Sequence, residues 1–254
     1  MIKNKPALIG GKKLRESPPF KKRKTISKEE KIAVNEVLDS DILSAFIGGP
    51  GDKFLGGEKV KIFENKWKKK YGFKHAISVN SWTSGLIICC GAIGLKPGDE
   101  VICSPYSMSA SATSVMFYGA KPVFADIDSN SYNLSAESIE EKINKNTKAI
   151  LLVHIFGQSC NMDPILKVAK KYKIKVIEDA AQAPGVFYKK KAVGAIGDIG
   201  GFSLNFHKHI HTGEGGMIVT NDDDLAFKSQ LIRNHGENFA KKINVKKFPN
   251  IIGG

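Results

Sequence analysis

Arginine is scarce in this chain: of 39 Lys+Arg residues, Arg15, Arg23 and Arg233 are the arginines, and the rest are lysines scattered along the sequence. The net charge of +14 invites a nucleic-acid partner, but the planar guanidinium that reads phosphates and bases bidentately is nearly missing. No nucleic acid is therefore expected. Long apolar runs are also missing. Nothing approaches the ~20 residues needed to cross a bilayer, so no membrane partner is expected. Met1 to Arg15 is basic without an apolar stretch, which argues against a secretory signal. Four cysteines, Cys89, Cys90, Cys103 and Cys160, form no CxxC pair and no regular framework. They read as buried thiols of a reducing cytoplasm. Internal repeats and low-complexity segments are lacking too.

What is present is the composition of a soluble globular protein, with 42% hydrophobic and 25% charged residues, long enough to bury one large core. A polar stretch with Pro6, Pro18 and Pro19 precedes Ser27-Lys28-Glu29-Glu30, a capping box that predicts a helix to about Ser40. A Gly-rich loop follows, and then a predicted amphipathic helix from Lys59 to Tyr71. Short apolar strands then alternate with helices. Predicted strands are His75–Val79, Val101–Cys103, Pro122–Ala125, Ala149–His154, Lys175–Glu178, Gly200–Leu204 and Met217–Thr220. Predicted helices are Thr83–Ile93, Ser109–Tyr118, Ser135–Ile143, Met162–Tyr172 and Asp223–Arg233. Strands without polar alternation, separated by helices, predict a mostly parallel sheet covered on both faces. Ligands of such sheets bind beyond the carboxyl ends of the strands.

Three strand ends carry residues suited to chemistry. Asn80-Ser81-Trp82-Thr83-Ser84-Gly85 opens a helix with free N–H groups and small hydroxyls, a place for phosphate as well as a plain cap. Asp179-Ala180-Ala181-Gln182 follows a buried strand, where a carboxylate needs a donor or a cation, or serves as a cap. Lys208 lies in a turn between two strands, where partial desolvation would let it engage an aldehyde. Together a phosphate cradle, a buried Asp and a turn Lys meet the needs of pyridoxal 5′-phosphate. Alternating His207, His209 and His211 offer a rival metal site. The cation of Lys208 among them and the lack of accompanying Cys or acidic ligands oppose it, so no metal is expected.

The sequence from about Val34 to Gly254 resembles the DegT/StrS-type sugar-nucleotide aminotransferases, pyridoxal-phosphate enzymes of the aspartate-aminotransferase fold. Gly201-Phe202-Ser203-Leu204-Asn205-Phe206-His207-Lys208, running on to Gly213-Glu214-Gly215-Gly216, is similar to that family's Phe-Ser-Phe-x-x-x-Lys…Gly-Glu-Gly-Gly, with Leu204 for the second Phe. Glu178-Asp179-Ala180-Ala181-Gln182-Ala183 matches its Glu-Asp-x-Ala-(Gln/His)-Ala. Asn80-Ser81-Trp82-Thr83 falls at its Ser-Ser-Gly-Thr. Gly98-Asp99-Glu100-Val101-Ile102, Gly157-Gln158 and Arg233-Asn234-His235-Gly236 also fit.

The resemblance implies a three-layer α/β/α large domain with a mostly parallel central sheet. Residues 1–33 would be an N-terminal arm and 34–254 the cofactor-binding domain, incomplete at its C-terminal end and without the family's small C-terminal domain. Lys208 would be the Schiff-base lysine and Asp179 the partner of the pyridine nitrogen. Ser81, Trp82, Thr83 and Ser203 would surround the phosphate, and Gln182 would sit near the ring's 3-oxygen. Two departures stand out. Trp82 replaces a small residue, so the cradle must tolerate the indole or turn it outward. Met108 replaces the aromatic that stacks on the ring. The implied activity is transfer of an amino group from L-glutamate to a nucleotide-activated keto-sugar, for amino-sugar and surface-polysaccharide biosynthesis, by a cytoplasmic homodimer. A sugar dehydratase of the same family would carry His where Lys208 stands. An inactive truncated relative is the other alternative.

Overall fold

The computed structural model describes residues 5–15 and 23–236. Pro18 and Pro19 of the polar stretch, and the last part of the domain read to Gly254, lie outside these residues. Contacts divide the chain into one unit up to Ser44 and another from Ala45. In the first, helix α1 (Lys28–Asp39) runs on through the boundary read at residue 33. It opens with the expected capping box, in which the Ser27 backbone N–H donates to Glu30 Oε2 at 2.7 Å.

The second unit alternates strands and helices in the order α2 (Glu58–Tyr71), β1 (His75–Val79), α3 (Trp82–Ala92), β2 (Glu100–Cys103), α4 (Ala110–Met116), β3 (Lys121–Phe124), α5 (Ala136–Lys142), β4 (Thr147–Val153), α6 (Met162–Tyr172), β5 (Lys175–Asp179), β6 (Phe187–Tyr188), β7 (Lys191–Ala192), β8 (Ile199–Ser203), β9 (Gly216–Thr220) and α7 (Asp223–Arg233). The sequence-predicted elements all appear, with ends displaced by at most two residues. The strand expected at Gly200–Leu204 runs from Ile199 to Ser203, and backbone bonds continue just past both ends, from Asp198 N–H to Val176 O at 3.0 Å and from Leu204 N–H to Gly215 O at 2.9 Å. The hairpin β6–β7 was not expected.

Among the described residues the sheet has seven strands in the order β1-β9-β8-β5-β4-β2-β3. Strand β9 is antiparallel to both its neighbours, and the remaining pairs are parallel. The lack of polar alternation is explained by the packing of β4. Ala149, Leu151 and Val153 face one cluster with Leu86 and Ile88 of α3, Val115 of α4 and Leu225 of α7. Ile150 and Leu152 face the other way, toward Ile139 of α5 and Ile165 of α6. On the β8–β9 side, Phe202, Met217 and Val219 pack on Trp67 of α2. Both faces are thus dry, and each fully buried Leu or Ile contributes roughly 1.5–3 kcal/mol.

Buried polar bonds fix the ends of this frame. Arg233 Nη1 at the end of α7 donates to Glu64 Oε1 of α2 at 2.7 Å and to Ser78 O of β1 at 3.2 Å. The next residue, Asn234, donates from Nδ2 to Ile47 O and Phe54 O at 3.1 and 3.0 Å, which ties the Gly-rich loop to the helix end.

Candidate active site

Parallel pairing sends the carboxyl ends of β2, β4, β5 and β8 to one edge of the sheet, and one cavity opens there. Ser81, Trp82, Thr83, Met108, Asp179, Gln182, Ser203 and Lys208 all line it, together with Ser107, Asn205, His207 and Glu214. Residues as far apart in sequence as Ser81 and Glu214 therefore meet at one place.

Ser81 is the N-cap of α3: its hydroxyl accepts from Ser84 N–H at 3.1 Å, while the two N–H groups before it in the first turn have no carbonyl within the helix to bond, and Thr83 there is exposed and lines the cavity. The positive end of the helix and these donors favour an anion. The cap reading and the anion reading thus coexist in one turn. Trp82 does not turn outward. It is 5% exposed, and its indole N–H donates to Asp179 Oδ1 at 2.7 Å.

Asp179 ends β5 and is almost fully buried. Besides the indole, the Ala181 N–H donates to Oδ1 at 3.1 Å and the Ser111 hydroxyl to Oδ2 at 2.8 Å. These donors make the buried carboxylate tolerable. Ser111 was missed in the sequence. Nothing in Ser109-Ala110-Ser111 distinguishes one serine from another until α4 packs against the sheet.

Gln182 is pinned by its Oε1, which accepts the Phe156 N–H at 2.6 Å, and Phe156 itself holds a positive φ of 54°. Met108 is 72% exposed at the cavity edge. Ser203 is the last residue of β8 and is buried; its Oγ accepts the Asn205 N–H at 3.3 Å. Lys208 is half-buried in the loop between β8 and β9, where its N–H donates to Asn205 O at 2.9 Å and the Asn205 side chain bonds Glu214. His209 is exposed and His211 half-buried, and neither lines the cavity. Among the described residues no three His, Cys, Asp or Glu side chains are grouped so as to hold a metal ion.

The matching family model, the DegT/DnrJ/EryC1/StrS aminotransferase family, spans residues 25–250. The chain belongs to that family. Its similarity to GDP-perosamine synthase of Caulobacter vibrioides is 48% identity over 180 residues, which covers 71% of this chain and 48% of that protein. The spore coat polysaccharide biosynthesis protein SpsC of Bacillus subtilis is 43% identical over 211 residues, 83% of this chain and 51% of SpsC. Among solved structures, the aminotransferase from Psychrobacter cryohalolentis superposes with a TM-score of 0.76 at 37% identity, covering 83% of this chain and 51% of that one. The fold is the one expected, that of the pyridoxal-phosphate aminotransferases. The chain spans about half the length of the curated relatives it matches.

The donor set of the cavity fits pyridoxal 5′-phosphate. A helix N-terminus with hydroxyls suits the phosphate, a buried carboxylate held by neutral donors suits a cationic ring nitrogen, and a half-buried amine suits an aldehyde.

Proposed function

We propose that the protein of which this chain forms the large domain is a pyridoxal-phosphate-dependent aminotransferase that carries an amino group from L-glutamate to a nucleotide-activated keto-sugar. The observation that carries this reading is the convergence of Lys208, Asp179 and the α3 N-terminus on one cavity.

When bound, the cofactor supplies an aldehyde and a ring that accepts electrons. Thr83, Ser203 and the first turn of α3 would bind its phosphate. Asp179 would hold the proton on the ring nitrogen by charge, and Gln182 would lie beside the 3-oxygen. Met108 would lie against the ring face, a thioether contact contributing roughly 0.3–1.5 kcal/mol. Lys208 would hold the aldehyde and, once released by the incoming amine, carry a proton between the donor's Cα and the cofactor's C4′ as general base and acid. A lysine at position 208 supports transamination over the dehydratase reading, since the dehydratases resembled here carry His at that place.

The partners are a nucleotide-sugar and an amino-acid donor, with a second copy of the chain completing a homodimer. The compartment is the cytoplasm, supported by four free cysteines, all buried. Among the described residues no helix is long and apolar enough to cross a membrane. The test is the absorption spectrum of the full-length protein, followed by turnover of a panel of nucleotide keto-sugars with glutamate, and sedimentation for the assembly. A colourless protein that converts no member of the panel would overturn the reading.

A further inference from the structure

We propose that Trp82 is a positioning residue that fixes which oxygen of Asp179 meets the cofactor. This rests on the pyridoxal-phosphate reading above. The carboxylate is nearly buried, and its two oxygens are not equivalent. Oδ1 accepts the indole N–H of Trp82 at 2.7 Å and the Ala181 N–H at 3.1 Å. A carboxylate oxygen has about two lone-pair positions, so Oδ1 is filled. Oδ2 accepts the Ser111 hydroxyl at 2.8 Å and keeps one position. Asp179 lines the cavity, so the remaining place on Oδ2 is the one offered to a ring nitrogen.

The indole is suited to this task because it can only donate. A serine or glutamine in its place could rotate to accept, and the turn of the carboxylate would no longer be fixed. Against Trp82 the oxygen at the Oδ1 place can only accept, so the side chain is held turned with Oδ2 toward Ser111 and the cavity.

A second observation indicates that the chain is built around this indole. A Cβ at Gly85 would lie 2.6 Å from Trp82 Cε3, and one at Gly201 would lie 2.4 Å from its Cζ3. Neither glycine has a positive φ, so it is space rather than backbone freedom that excludes a side chain: at Gly85 the space of the ring, and at Gly201 that of the ring together with the Met217 carbonyl oxygen, 2.0 Å from such a Cβ. Gly85 lies inside α3, where glycine costs helix stability relative to alanine. The cost makes sense where the ring needs the room.

The experiment uses the full-length protein, first stripped of cofactor and then loaded. Trp82→Phe identifies the indole ¹⁵N–¹H resonance of Trp82. In the stripped protein Asp179→Asn should shift that resonance, since a neutral amide oxygen then replaces the carboxylate as its acceptor, while the Trp67 resonance stays in place. In the loaded protein Trp82→Phe should weaken pyridoxal-phosphate binding about tenfold, the loss of one charge-assisted bond, while borohydride still labels Lys208. Gly85→Ala favours the helix yet crowds the ring, so it should reproduce the loss of affinity with the indole N–H still present. A Trp82 resonance indifferent to Asp179→Asn overturns the proposal, as do wild-type affinities in both Trp82→Phe and Gly85→Ala. A wild-type protein that takes no label on Lys208 overturns the cofactor reading instead, whatever the indole resonance does.

Discussion

His154 Nε2 lies 2.9 Å from Glu178 Oε2, and both side chains are fully buried. The Cys160 N–H donates to His154 Nδ1 at 3.0 Å, so Nδ1 is unprotonated and Nε2 is the nitrogen that donates to the carboxylate. Glu178 also accepts the Gly194 N–H at 2.6 Å and the Gly197 N–H at 2.5 Å. One side chain thereby anchors the loop between β7 and β8 beneath the strand that carries Asp179. Glu178→Gln puts an amide N–H₂ against a donor at one of these places. The expected loss of stability is about 3–5 kcal/mol, read as a fall in the denaturant midpoint. A variant as stable as the wild type would show that the three donors find other acceptors.

Lys208→Ala should remove both the absorption band of the lysine-bound cofactor and the borohydride-stable label, and with them turnover. The loop from Leu204 to Gly215 is held by backbone bonds, Leu204 N–H to Gly215 O at 2.9 Å and Thr212 N–H to Leu204 O at 3.0 Å, so the fold should be unchanged. A label that persists in the variant would move the assignment to another lysine.

Asp179→Asn should still bind the cofactor but transaminate slowly. The amide oxygen can take the Oδ1 place and keep the bonds from Trp82 and Ala181. Its N–H₂ then faces Ser111, whose hydroxyl can turn to accept, and faces the ring nitrogen as a donor. Charge no longer holds the ring proton. Losing an interaction of roughly 1.5–3 kcal/mol in the transition state slows the reaction about ten- to hundred-fold. Pre-steady-state rates of the glutamate half-reaction measure this, and an unchanged rate would remove Asp179 from the electronic role.

Burial pushes the thiols of Cys90 and Cys103 up to about 12 from 9.0, and those of Cys89 and Cys160 upward as well. The folded state therefore binds these protons more tightly than the unfolded chain. That stability is fully present below the unfolded value near 9 and is lost as pH rises toward 12. Urea unfolding should give a steady free energy at neutral pH and a decline above pH 9, shallower in a variant with all four cysteines replaced by alanine or serine, where the partly buried Tyr118 hydroxyl, also pushed up to about 12, still contributes. Native thiols should also resist alkylation until unfolding, and rapid labelling of the folded protein would contradict their burial.

Local sequence determined the elements and where the chemistry falls among them. Helices α6 and α7 have the bounds read from their periodicity, and α1 has its capping box, because caps and apolar spacing act within one or two turns. The Lys208, Asp179 and Ser81–Thr83 segments were legible because each follows a strand of a parallel sheet. Tertiary structure decided the rest. Strand β9 runs against β8, the strand just before it, and against β1, a pairing with residues far back in the chain. The hairpin β6–β7 turns through Lys189 and Lys190 at positive φ of 45° and 69°, with no Gly or Asn to announce it. Trp82 could have faced solvent or core, and only the space over Gly85 and Gly201 and the acceptor on Asp179 turn it inward. Ser111 reaches the same carboxylate because α4 packs across the sheet edge. Bonds between residues 68 or 97 positions apart leave no local trace, since the physical partner of each side chain is chosen by the packing of whole layers.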